Sequence, residues 1–114
     1  EFTRQYEYIH QLVIRNRWKC YLVMVTMKID AEVLPGIESI EQALSLMGEV
    51  IQKHIRQVDV CTRYSSMQYL IILFEPQENQ IPNVMERIFM HYYELCDREN
   101  FKPQYEYIKM TEVK

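Results

Sequence analysis

The stretch from Val58 to Phe74 constrains the fold more than any other: V-D-V-C-T-R-Y, then S-S, then M-Q-Y-L-I-I-L-F. Val58, Val60, Thr62 and Tyr64 alternate with Asp59, Cys61 and Arg63, the period of a strand with two different faces, whereas Tyr69 to Phe74 is apolar throughout, as in a strand covered on both. Two such runs on either side of a short polar corner predict a β-hairpin. Ser65-Ser66 is an awkward corner, because the two-residue turns that match strand twist need positive φ, which glycine adopts freely and serine does not. Glycines would be expected there.

The rest of the chain supplies elements to pack on this hairpin. Phe2 to Arg17 places Phe2, Tyr6, Ile9, Val13 and Ile14 at helical spacing and ends on Arg15, Asn16 and Arg17, near the negative pole of the helix dipole. Cys20 to Ile29 is nearly continuous in β-forming apolar residues until Lys28, as a central strand would be. A Pro35-Gly36 break follows, then Ser39-Ile40-Glu41-Gln42 reads as a capping box. Behind it Ile40, Ala43, Leu44, Met47, Val50, Ile51, His54 and Ile55 form the stripe of a helix lying on a sheet. His54 on that stripe reads as a packed, hydrogen-bonded imidazole, with no partner for it visible nearby. After the hairpin, Pro82 suits the first turn of a second long helix with Ile81, Val84, Ile88, Tyr92 and Leu95 inward, flanked by Met85 and Phe89. Asp97 to Pro103 ends it, and Tyr105 to Val113 alternates as a last strand.

The resulting order, α-β-α-β-β-α-β, predicts an α+β fold with a ferredoxin-like βαββαβ core, helices on one face, an antiparallel central hairpin and an N-terminal lead-in helix. A chain of 114 residues with 48% apolar and 25% charged residues suits one compact domain spanning residues 1–114. A net charge of −3 and a pI near 5.6 give no global field for nucleic acid. Cys20, Cys61 and Cys96 are odd in number and set in apolar surroundings, which favours buried thiols in a reducing compartment. His10, His54 and His91 share no metal-ligand spacing with them, so no metal site is expected. No apolar run approaches the length that spans a bilayer, and no signal-peptide pattern opens the sequence; a cytoplasmic location is expected, with no direct membrane insertion.

R-Y-S-S-M-Q-Y-L-I-I-L, Arg63 to Leu73, resembles the R-Y-G-G-D-E-F-x-x-x-L signature of GGDEF domains, the bacterial diguanylate cyclase family, with the name-giving letters replaced by Ser65, Ser66, Met67, Gln68 and Tyr69. Tyr21 to Asp30 is similar to the family's first strand, L-L-L-D-I-D-x-F-K. Ile40 to Arg56 resembles its G-D-x-x-L helix, I-R-Q-V-D-V-C-T-R-Y its L-R-x-x-D-x-x-x-R-Y, and Met85 to Ile88 the A-E-R-I-R of the following helix. The resemblance covers roughly 85 residues. The family's L-T-G-L-x-N-R segment and its last helix and strand have no counterpart, as in a trimmed or a minimal version of such a domain; the resemblance implies a piece of a larger signalling protein. The fold it implies is the nucleotidyl-cyclase-like core already predicted from the pattern of elements.

The resemblance also implies a loss. In the family, divalent metal for joining two GTP molecules is held by an aspartate of the first strand and an acid of the signature. Here the strand offers Thr26 or Lys28, depending on register, and the signature offers Met67 and Gln68. A thioether, a neutral amide and an ammonium cannot replace carboxylates around magnesium. Ser65 and Ser66 put side chains where glycines would let a triphosphate approach. The guanine-contacting asparagine has no counterpart in Ala31 to Leu34, although Glu41 occupies the place of the later aspartate. A degenerate domain without cyclase activity, catalytic residues or cofactor is therefore expected.

One feature is retained. Arg56-Gln57-Val58-Asp59 matches the R-x-x-D of the family's product-binding site, and Arg87 stands where a second arginine often completes it. Arg56 can meet the O6/N7 edge of guanine and Asp59 can accept from its N1 and N2. The plain alternative is a helix-terminal arginine paired with a nearby aspartate. Cyclic di-GMP is thus one expected partner. The other expectation, favoured by nine tyrosines, is a homodimerising or protein-binding module joined to other signalling domains.

Overall fold

The computed structural model describes residues 2–16, 19–29, 36–76, 78–96 and 101–110. The elements run α1 (Phe2–Asn16), β1 (Cys20–Ile29), α2 (Ile37–His54), β2 (Val60–Ser65), β3 (Gln68–Phe74), a 3-10 turn (Glu78–Gln80), α3 (Ile81–Leu95) and β4 (Phe101–Lys109). The four strands form one antiparallel sheet in the order β2-β3-β1-β4. This is the ferredoxin-like arrangement expected for a βαββαβ chain, in which each helix crosses over an intervening strand.

Alternation along β1 divides the interior in two. Tyr21, Val23, Val25 and Met27, with Tyr69, Ile71 and Leu73 of β3, face α2 and α3. Against them lie Ala43, Leu44, Met47, Val50 and Ile51 of α2 and Ile81, Met85, Ile88 and Tyr92 of α3, which together make the main core. Each fully buried Val, Leu, Ile or Met among them stabilises the fold by about 1.5–3 kcal/mol. On the opposite face Cys20, Ile72 and Met110 are buried with Ile9 of α1 packed beside them, so the lead-in helix caps one end of the second face.

Several boundaries differ from the sequence reading. Helix α2 starts at Ile37 with Gly36 as its N-cap and no side-chain cap, so Ser39 lies in the first turn and the capping box is not used. The seam of α3 ends on Tyr92; Leu95 is 52% exposed. Ile14 of α1 is likewise exposed, and the side chains of Phe2, Tyr6 and Val13 lie outside the described residues. Val58 belongs to the turn before β2 and is 62% exposed. Strand β4 begins at Phe101 and includes Pro103, paired with Met27. A proline is tolerated there because β4 is an edge strand, where one backbone side needs no sheet partner. Residues 111–113 of the expected last strand, and Asp97, Arg98, Glu99 and Asn100 before it, lie outside the described residues.

The hairpin corner is Ser66-Met67, one residue later than the sequence pattern indicated. Ser65 pairs with Gln68 and Arg63 with Tyr69, which leaves Tyr64 as a bulge on β2. Among the described residues only Glu75 has positive φ, at 52°. The serines therefore avoid the left-handed conformations a glycine turn would use, and the bulge accommodates the register instead.

Candidate functional site

The corner is closed by neutral side chains bonded to one another. The Ser65 hydroxyl donates to Oε1 of Gln68 at 2.9 Å, the Gln68 amide donates to Oγ1 of Thr26 at 3.2 Å, and the Met67 amide donates back to Oγ of Ser65 at 3.3 Å. The Met27 amide donates to the Met67 carbonyl at 2.8 Å, which fastens β1 to the turn. Thr26 and Gln68 are direct partners in the β1-β3 ladder, so of Thr26 and Lys28 it is Thr26 that meets the hairpin turn. Lys28 is exposed further along β1, where it lines a small hollow with Met24, Thr26, Gln104, Tyr105 and Glu106. Asp30 and Ala31 to Leu34 lie outside the described residues.

Arg63 braces the turn from the helix side. Its guanidinium donates to the carbonyl of Ser65 and to that of Ser66, each at 2.9 Å, and pairs with Oε1 of Glu41 at 3.1 Å. It also lies over the Tyr69 ring, 5.8 Å from the centroid. The Tyr69 hydroxyl donates to the Leu44 carbonyl at 2.8 Å, and burial pushes the phenol up from its ordinary value against a downward pull from Arg63. Tyr69 passes so close to α2 that a Cβ on Gly48 would meet its hydroxyl oxygen at 2.5 Å. Glycine at 48 is thus required by a close approach, which the sequence alone did not reveal.

Magnesium does not suit this donor set. Ser65, Gln68 and Thr26 satisfy each other, Met67 contributes a thioether, and Glu41 is held by Arg63. Among the described residues no group of three His, Cys, Asp or Glu side chains could hold a metal ion.

The R-x-x-D pair forms, as a locally closed unit. Asp59 Oδ2 accepts from the Arg56 amide at 2.8 Å and from its Nε at 3.4 Å, while Oδ1 accepts from Arg56 Nη2 at 3.4 Å and from the Phe74 amide at 3.0 Å. The same Nη2 donates to the Phe74 carbonyl. The Asp59 side chain is 2% exposed and that of Arg56 57%. Asp59 therefore ties the loop after α2 to the end of β3, and Arg56 borders an open hollow of about 500 Å³ lined with it by Val58, Phe74 and Glu75. Arg87 is exposed on α3 and does not line that hollow; its charge acts on His54.

His54 has a partner that sequence spacing could not show. Its Nε2 lies 2.9 Å from Nδ1 of His91 on α3, ring edge to ring face at an interplanar angle of 80°. The expected packed, hydrogen-bonded imidazole is found. The cysteines are free thiols, and burial pushes Cys20 up to about 11 and Cys61 to about 12. Among the described residues no helix is long and apolar enough to cross a membrane.

No protein-family model matches the chain, and no curated protein matches it in sequence. Solved structures do match in fold. A DGC protein from Thermotoga maritima is 21% identical with a TM-score of 0.74, over 97% of this chain and 79% of that one. Diguanylate cyclase SiaD from Pseudomonas aeruginosa, in complex with its activator SiaC, is 12% identical with a TM-score of 0.72, over 93% of this chain and 44% of that one. The GGDEF domain of DgcB from Caulobacter crescentus, in complex with c-di-GMP, is 10% identical with a TM-score of 0.69, over 93% of this chain and 68% of that one. The chain therefore has the GGDEF-like fold of diguanylate cyclase domains.

Proposed function

We propose that this chain is a degenerate GGDEF-like domain of bacterial cyclic di-GMP signalling that makes no cyclic di-GMP and serves a larger protein as an interaction or dimerisation module. The observation that carries this reading is the closed Ser65-Gln68-Thr26 chain, which stands where a cyclase of this fold needs carboxylates. Phosphoryl transfer relies almost entirely on positioning and on metal and donor stabilisation of charge. A corner of hydroxyls, an amide and a thioether supplies neither the charge nor the open backbone for it.

Reception of cyclic di-GMP through Arg56, Asp59 and Arg87 is the second reading, favoured by the open hollow beside a half-exposed arginine. Against it, guanine would have to take Asp59 acceptors already committed to Arg56 and Phe74, which would strip a buried carboxylate of its hydrogen bonds. Calorimetric titration with cyclic di-GMP separates the two. The module reading expects no saturable heat at ligand concentrations on the order of tens of micromolar. Saturable heat that disappears in Arg56→Ala would establish the receptor instead.

A further inference from the structure

We infer that His54 and His91 form an acid-sensitive latch between α2 and α3, closed while the pair carries no more than one proton beyond the neutral state and opened when both rings are charged. The two rings close the gap between the last residue of α2 and the C-terminal half of α3, nitrogen to nitrogen at 2.9 Å. That distance demands one N–H donor and one lone pair. Two neutral imidazoles satisfy it, as do one imidazole and one imidazolium; two imidazoliums present N–H to N–H and repel.

The surroundings of His54 make a proton on its ring costly. Lys53 on α2 and Arg87 on α3, one turn before His91, are the other charges acting on His54, and no carboxylate is among them. On the helix-covered side of β2 the titratable groups are Cys61, whose thiol burial keeps neutral, and Arg63, which is engaged with Glu41. Burial, His91, Arg87 and Lys53, in that order, hold the His54 imidazole below its ordinary value. A histidine whose folded-state pKa is depressed stabilises the fold above its unfolded pKa, and that stability is lost as pH falls through the folded pKa. Acid therefore loosens the contact between the two helices that cover the core.

The test is thermal unfolding of the wild type and of His54→Gln/His91→Gln from about pH 7.5 to about pH 5. Subtracting the double variant removes every pH effect the two proteins share. Expected is a wild-type midpoint that falls by about 4 °C or more beyond any fall in the variant. Parallel pH profiles would overturn the latch. Proton NMR titration of the wild-type imidazoles decides the matter should the variant not fold: a coupled pair titrates in two well-separated steps, whereas two independent rings titrating together near pH ~6.5 would overturn it.

Discussion

Gln68 and Thr26 face each other as direct ladder partners of β3 and β1, joined by a 3.2 Å side-chain hydrogen bond. Under the proposed reading, an active cyclase of this fold would carry metal-holding acids at this juncture, where adjacent strands bring two side chains on one face within about 5 Å. Thr26→Asp/Gln68→Glu would set two carboxylates there. Such a pair repels, so the variant should unfold at lower temperature than the wild type, and millimolar magnesium should restore part of the loss through preferential binding to the folded state. Thermal melts with and without magnesium check this; the wild type should show no such response.

Asp59 and Arg56 differ in what their removal should cost. Asp59→Ala leaves the Arg56 and Phe74 amides without their acceptor and should destabilise the fold by about 2–4 kcal/mol. Arg56→Ala removes a largely exposed partner and should cost about 1 kcal/mol or less. Chemical denaturation of the two variants gives the comparison. Equal losses would mean that the carboxylate is not the anchor of the loop.

Gly48→Ala tests the approach of Tyr69 to α2. Helix propensity favours alanine by about 1 kcal/mol, yet the added methyl collides with the tyrosine. The collision should win, with a net loss of about 1–3 kcal/mol. Tyr69→Phe, which removes the nearest atom, should recover part of it in the double variant.

The thiols of Cys20 and Cys61 should resist alkylation in the native protein. Their folded-state values, about 11 and about 12, lie above that of an unfolded cysteine, so the stability they contribute is present below the unfolded value. It is lost as pH rises toward the folded values. Labelling with iodoacetamide near pH ~8 should therefore be slow until denaturant is added, and unfolding should become easier above about pH 9.

Local chemistry explains which parts of this fold were legible. The strand patterns and both helix stripes were readable because side-chain period reports directly on burial, and they sufficed for the ferredoxin-like βαββαβ core and the two-helix face. What failed was set by tertiary partners. Gly36 displaced the expected Ser39 cap, Pro103 entered a strand because β4 lies at an edge, and the corner moved to Ser66-Met67 through a bulge at Tyr64. At the site, Thr26, Gln68, Ser65 and Met67 could be named from the resemblance, but their bonds to one another could not. Arg63 bracing two turn carbonyls and His91 meeting His54 were invisible, since each joins residues distant in sequence with no shared spacing.

The most direct measurement is synthesis itself: purified protein incubated with GTP and magnesium or manganese, with cyclic di-GMP quantified by mass spectrometry beside an active diguanylate cyclase. A corner of neutral, mutually bonded side chains predicts product at the level of the protein-free control. Cyclic di-GMP accumulating in proportion to protein would contradict it.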